Sequence, residues 1–355
     1  MVVQQLVDCT MLALLITCFK LLRWVSLRSL PDFREGIFFG GILTFFLDKM
    51  LFLHFKLKND FSMRSIAFRE ALREAMNEEM RRDERVFLMG EEVAEYNGAY
   101  KVSQGMLAEF GPKRVIDTPI SELGFTAVAV GAAQNGLRPI VEFMTWNFAV
   151  LPLDQILNTA SKMLAMSGGQ IGCPIIMRGP NGSAGQLGAQ HSTAFESYLA
   201  NIPGIKVVSP SNGYDAKGLL NAAIEDPNPV MYFEHKMLYR SVSQEIPDDY
   251  YTVEIGKART VAEGSDLSII TYGMGVHWAK QLQQEMTDIS IEILDLRSLL
   301  PWDKEAVRST VEKTGRVIIL HEDTYTGGIG GEIAAWIGEN CFELLDGPVM
   351  RVASL

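Results

Sequence analysis

The sequence predicts an α/β protein: a mostly parallel sheet covered by helices on both faces, followed by a second, smaller α/β unit. Two observations carry that prediction. Short apolar runs, each ended by glycine or a polar turn, alternate with stretches of helical spacing from Ser65 onward. The same alternation restarts after a polar segment at 243–258, which holds a Pro-Asp-Asp turn and reads as a linker over 243–252. A chain of 355 residues, 48% hydrophobic and 21% charged, has room for two such domains, expected at 63–242 and 253–355.

Taken in order, Ile66 to Met80 has apolar residues at Phe68, Leu72, Ala75, Met76 and Met80, a helical stripe with Glu and Arg on the other face. Residues 86–89 (VFLM) and 114–117 (RVID) read as strands. Gly124 to Asn135, rich in Ala, Val and Gly, reads as a tightly packed helix, and 139–143 (PIVEF) as the next strand. Residues 154–166 (DQILNTASKMLAM) have helical spacing. Runs 174–178, 206–209 and 229–234 are buried-type strands, with a helix over 213–226 between the last two. In the second unit, 267–272, 291–296 and 316–323 are strands between helical stretches, and the chain stops at RVASL, just after another strand.

The first 62 residues do not match this pattern. Apolar runs at 11–19 and 36–47 are cut short by Lys20 and by Asp48–Lys49, so neither reaches the ~20 residues of a membrane-spanning helix. The start carries neither the charge of a signal peptide nor the pattern of a transit sequence. Three readings stay open: a membrane anchor, an added helical hairpin that packs on a partner, or sequence upstream of the true start. The third is favoured, because an enzyme body begins naturally at Met63.

The formal charge of −11 argues against a nucleic-acid partner, which needs clustered Lys and Arg. Cys9, Cys18, Cys173 and Cys341 form no CxxC pair and suit neither a zinc site nor a disulfide framework; they read as incidental thiols of a reducing compartment. There is no GxxxxGK[ST] loop and no HExxH, and 181–185 (NGSAG) is not GxSxG. The Gly-rich 326–332 (TGGIGGE) fails GxGxxG and reads as a tight turn or close packing. Two features stand out. The loop 178–192 (RGPNGSAGQLGAQHS) lies at the carboxyl end of a strand, where α/β sheets bind ligands, and ends with His191. Glu122 falls at a strand–turn–helix junction, where helix-dipole stabilisation and catalysis are not separable from sequence physics alone.

Together the segments 89–106, 114–125, 136–148, 178–192, 203–220 and 295–303 resemble β subunits of the pyruvate dehydrogenase family of thiamine-diphosphate-dependent 2-oxoacid dehydrogenases, in the same order from about Ser65 to Leu355. The first 62 residues have no counterpart in that family, and the family's last strand–helix portion has none here. The resemblance implies a pyrimidine-binding domain followed by a transketolase C-terminal-type domain. It also implies an α₂β₂ assembly in which the α subunit holds the diphosphate and magnesium, and docking onto a dihydrolipoyl acyltransferase core. No GDG followed by an NN pair, the usual diphosphate–magnesium motif, occurs in this chain.

By the same resemblance, Glu122 matches the glutamate that hydrogen-bonds the aminopyrimidine ring of thiamine diphosphate. Phe148 matches the aromatic that packs on that ring, and His191 an active-site histidine serving substrate orientation or transfer to the lipoyl group. Ile175, Ala223, Ile224, Asp226 and Asn228 match positions around a structural potassium ion. Pyruvate is the expected substrate; 233–240 (FEHKMLYR) leans toward branched-chain relatives, which remain the alternative, and a catalytically silent membrane-tethered scaffold is the second. The expected location is the bacterial-type cytoplasm, with an organellar matrix or stroma as the alternative.

Overall fold

The computed structural model describes residues 63–184 and 186–355; the expectations for the first 62 residues lie outside them. The chain opens with β1 (Met63–Ala67), then α1 (Phe68–Arg82) and β2 (Val86–Gly90). There follow α2 (Met106–Phe110), β3 (Val115–Asp117), α3 (Glu122–Gln134) and β4 (Arg138–Glu142). After α4 (Met163–Met166) come β5 (Ile176–Asn181), α5 (Glu196–Ala200), β6 (Lys206–Val208), α6 (Gly213–Glu225) and β7 (Val230–His235). Then α7 (Leu238–Ser241) leads into β8 (Ser243–Pro247).

The second part contains β9 (Arg259–Ala262), β10 (Leu267–Thr271), α8 (Met274–Glu285), β11 (Ile291–Asp295) and β12 (Ser298–Leu300). It ends with α9 (Lys304–Thr314), β13 (Val317–Thr324), α10 (Ile329–Asn340) and β14 (Met350–Ser354).

Seven strands form the larger sheet in the order β12-β6-β7-β5-β4-β2-β3, parallel except for the short β12. Alternate residues of its strands feed opposite cores, as the two-residue period of a strand requires. Ile140, Ile176, Val208, Val230 and Tyr232 pack with Phe68, Leu72, Met76 and Leu219 on one face. Val141, Met177, Val207, Met231 and Phe233 face the other way, into a cluster that continues through Ile270, Leu294, Val307, Ile319 and Ile333. One apolar core therefore joins the two α/β parts. The smaller sheet runs β14-β13-β10-β11-β9, and β14 is its edge.

Three local expectations are corrected. The first helix starts at Phe68 rather than Ile66, because Met63–Ala67 is a strand paired antiparallel with Ser243–Pro247. The same pairing converts the first half of the expected linker into β8; a pairing so distant in sequence leaves no local signal. The expected helix at 154–166 is broken: Gln155–Ala160 forms a π turn, with Ser161 N–H donating to Ile156 O at 3.1 Å, and a regular α segment resumes at Met163–Met166. Ser161 Oγ donates to Leu157 O at 2.6 Å, the kind of side-chain competition for a backbone carbonyl that loosens a helix ladder.

Inside the large sheet, Arg178 of β5 is wholly buried between Glu142 of β4 and Glu234 of β7. Its Nε donates to Glu234 at 2.5 Å, and Tyr239 Oη donates to the same carboxylate at 2.7 Å. Burial pushes the Glu142 carboxyl up, against the pull of Arg178. Removing the single cation of this triad leaves two carboxylates without solvent. Arg178→Met is expected to cost about 3–5 kcal/mol in denaturant unfolding; a loss below about 1 kcal/mol contradicts that role.

Candidate functional site

Four neighbouring parallel strands, β3-β2-β4-β5, end at one edge of the large sheet. The residues singled out from sequence leave from those ends. β2 runs into Glu91, β3 into the turn that begins α3 with Glu122, β4 into the 3₁₀ turn Trp146–Val150 with Phe148, and β5 into the loop ending at His191. The carboxyl edge of a parallel sheet is where such folds bind ligands. Thr118 N–H donates to Gly90 O at 2.9 Å, and the Asp117 carboxylate accepts from the Ala94 and Glu95 amides at 2.6 and 3.0 Å. These bonds tie the segment after β2 to the end of β3. Gly90 is required there, since a Cβ would lie 2.5 Å from Glu142 O on β4.

Glu122 is the first residue of α3, and its side chain is nearly fully buried. Its neighbour in the electrostatics is Glu91, also buried. The Glu91 carboxyl is pushed up to about 7, first by burial, then by the charge of Glu122 and a hydrogen bond with it, and then by Glu142. Glu91 Oε1 has no hydrogen-bond partner among the described residues. Beside this pair, Ile120 is 84% and Leu123 49% exposed, so a buried carboxyl pair lies next to an open apolar rim. An aminopyrimidine ring fits that donor set. It is flat and apolar on its faces, and it carries ring and exocyclic nitrogens that a carboxyl pair can serve from one side.

Phe148 and His191 meet edge to face, with ring centroids 5.4 Å apart. The loop bearing His191 is clamped from several directions. Asn181 Oδ1 accepts from Phe195 N–H at 3.0 Å, and Gly182 N–H donates to Thr193 O at 3.2 Å. Ser183 donates through both its amide and its hydroxyl to Glu322 of β13, and His235 Nε2 lies 2.7 Å from the other oxygen of that carboxylate. Burial opposes ionisation of Glu322, but His235 and Ser183 more than offset it, and its carboxyl sits below the usual value. Gly182 has φ +75°, and a Cβ there would fall 2.4 Å from Glu322 Oε2 and 2.5 Å from His235 Nε2, so only glycine closes the loop against β13.

The five positions expected around a potassium ion fall just before β5 and at the end of α6 with the loop into β7. Ile175 O accepts from Val230 N–H, Ala223 O from Asp226 N–H, and Asn228 donates to the Asp226 carboxylate at 2.9 Å. The Ile224 and Asp226 carbonyls both accept from Arg138 Nη1, at 2.7 and 3.3 Å, and Lys206 pairs with the Asp226 carboxylate. Each carbonyl keeps a second lone pair, so the oxygens suit a large monovalent cation, with Arg138 as a competitor for two of them. Among the described residues no group of three or more His, Cys, Asp and Glu is placed to hold a metal ion. No described helix is long and apolar enough to cross a membrane.

Sequence reasoning missed Glu91, Lys236 and Glu322. Each stands among ordinary polar residues at or just beyond the end of an apolar run, and only that position could have marked it.

The transketolase pyrimidine-binding domain model matches residues 64–242, and the transketolase C-terminal domain model matches 256–355. The chain is 50% identical over 294 residues to the pyruvate dehydrogenase E1 component subunit beta of Rhizobium meliloti (strain 1021), which covers 82% of this chain and 64% of that protein. It is 49% identical over 290 residues to the subunit of the same name from Rickettsia bellii (strain RML369-C), covering 81% of this chain and 89% of that one. For the mitochondrial subunit of Caenorhabditis elegans the figures are 48% over 299 residues, 82% and 84%. A solved split gene transketolase, described as an inactive beta4 tetramer, shares the fold with a TM-score of 0.67 at 22% identity, covering 81% of this chain and 89% of that one. A pyrimidine-binding model spanning half the chain, and relatives this similar across most of their own length, show that the chain belongs to the family of pyruvate dehydrogenase E1 component β subunits.

Proposed function

We propose that this chain is the β half of a thiamine-diphosphate-dependent pyruvate dehydrogenase. In this reading it is active only with an α subunit that supplies the diphosphate site and its magnesium, and it passes acetyl groups to the lipoyl group of a dihydrolipoyl acyltransferase core. The observation that carries the reading is the Glu122–Glu91 carboxyl pair, buried at the sheet's carboxyl edge beside an exposed apolar rim. Such a rim needs a covering partner. The relatives found carry the pyruvate dehydrogenase name, which does not favour the branched-chain alternative. Retained Glu122 and His191 count against a silent scaffold. Relatives of bacterial origin and relatives named mitochondrial both occur, so a bacterial-type cytoplasm is proposed with the organellar matrix as the alternative.

Thiamine diphosphate, when bound, supplies the electron sink for decarboxylation of a 2-oxoacid. The residues of this chain would do the rest. Glu122 would accept and return a proton at the pyrimidine ring nitrogen. Burial, and then the neighbouring Glu122, raise the Glu91 carboxyl to about 7, so Glu91 holds its proton more readily than an ordinary carboxyl does. Phe148 would pack on the pyrimidine ring, and His191, edge to face with Phe148, would orient the substrate or the incoming lipoyl arm.

Co-expression with an α subunit tests this directly. Glu122→Gln is expected to retain thiamine diphosphate binding while pyruvate-dependent dye reduction falls about 10²–10⁴-fold; full activity in that variant rules out the role of Glu122. A second prediction concerns pH. Glu91 is raised from 4.5 to about 7 in the fold, so the unfolded chain releases this proton first and stability falls as pH rises between those values. Glu91→Gln should remove that decline and melt higher than the parent above pH 7; parallel melting-temperature profiles for the two proteins contradict the assignment. A third concerns potassium at Ile175, Ala223, Ile224, Asp226 and Asn228. Exchanging potassium for sodium at constant ionic strength is expected to lower the melting temperature, and equal melting in both salts contradicts a potassium site there.

A further inference from the structure

The loop that carries His191 runs from Gly182 to the 3₁₀ turn Ala189–His191, and both of its ends reach one ammonium group. Lys236 Nζ donates to Gly182 O at 3.0 Å and to His191 O. Lys236 directly follows β7, its side chain is only 5% exposed, and its own amide donates to Asn181 O at 3.1 Å at the end of β5. The lysine is thus fixed to two central strands and spans the chord of the loop from beneath.

We infer that Lys236 is a positioning residue for His191: it holds the histidine's backbone so that the imidazole meets Phe148 in the active site. This rests on the reading of His191 as an active-site residue given above. Burying an ammonium is costly, and a methionine of similar length would fill the volume without that cost. What the ammonium adds is a pair of charge-assisted donors aimed at two carbonyls. Glu322 favours the charged form at longer range, but its own oxygens are taken by Ser183 and His235. Burial lowers the Lys236 pKa to about 8, consistent with an ammonium held mainly by neutral carbonyls. Truncation would free the two ends of the loop from each other without touching Glu122 or the carboxyl pair.

The test uses the assembled complex with the α subunit and four variants: Lys236→Met, Lys236→Arg, His191→Ala and the Lys236→Met/His191→Ala double. Hydrogen exchange by mass spectrometry reads the loop itself. Amides at 183–192 should exchange faster in Lys236→Met, with other regions unchanged and thiamine diphosphate affinity retained. Acetyl transfer to a lipoyl domain should slow ~10–100-fold in Lys236→Met. Lys236→Arg should recover part of that loss. The double variant should be no slower than His191→Ala, because the lysine acts through the histidine. Unchanged exchange in the loop, or additive losses in the double variant, overturns the inference. If Lys236→Met does not assemble, the neutral and shorter Lys236→Gln carries the same comparison. A parent complex that binds no thiamine diphosphate rejects the parent reading. A complex that binds it, but in which His191→Ala transfers acetyl groups at the parent rate, leaves Glu122 in place and rejects this inference alone.

Discussion

The parallel register of β3, β2, β4 and β5 is the constraint on which the rest of the structure depends. Parallel neighbours cannot be joined by tight hairpins, so every connection crosses a face of the sheet and every strand ends on the same edge. Glu91, Glu122, Phe148 and His191 come from segments far apart in sequence and share that edge for no other reason. The same crossovers cover both faces with helices. This favours apolar residues on both faces of the strands and makes any polar group inside the sheet depend on its immediate neighbours.

That dependence is visible in the electrostatics. From the carboxyl edge inward, Glu122 acts on Glu91, Glu91 is also raised by Glu142, and Glu142 is held between Arg178 and the charge of Glu234. One wholly buried guanidinium serves two carboxylates within the sheet, and Glu142, one of those two, also raises the carboxyl of Glu91 at the edge. The second α/β part contributes through Glu322, which crosses from β13 to grip Ser183 and His235, so the loop bearing His191 is shaped by both halves of the chain.

Much of the large sheet was legible in the sequence because strands buried on both faces are written as continuous apolar runs, as at Val86–Met89 and Val230–Phe233. What escaped was non-local or polar. Met63–Ala67 is a strand only because Ser243–Pro247 pairs with it, and the short polar β8 looks like linker until that partner is known. The π turn at Gln155–Ala160 keeps helical spacing in its side chains while its backbone bonds have slipped by one residue. In the site, Glu122 and His191 were marked by position, one at a strand–helix junction and the other at the end of a glycine-rich loop, and resemblance supplied their roles and that of Phe148. Glu91, Lys236 and Glu322 carried no such mark, because their significance lies in which buried groups they face rather than in any spacing along the chain.

The account stands on where an aminopyrimidine ring comes to rest. The most direct measurement is an experimentally determined structure of the complex with its α subunit, solved with thiamine diphosphate bound. The account predicts a pyrimidine nitrogen within about 3 Å of the Glu122 carboxylate, with Phe148 against the ring. A coenzyme seated with its pyrimidine away from this sheet edge, or with Glu122 facing only solvent or protein, would contradict it.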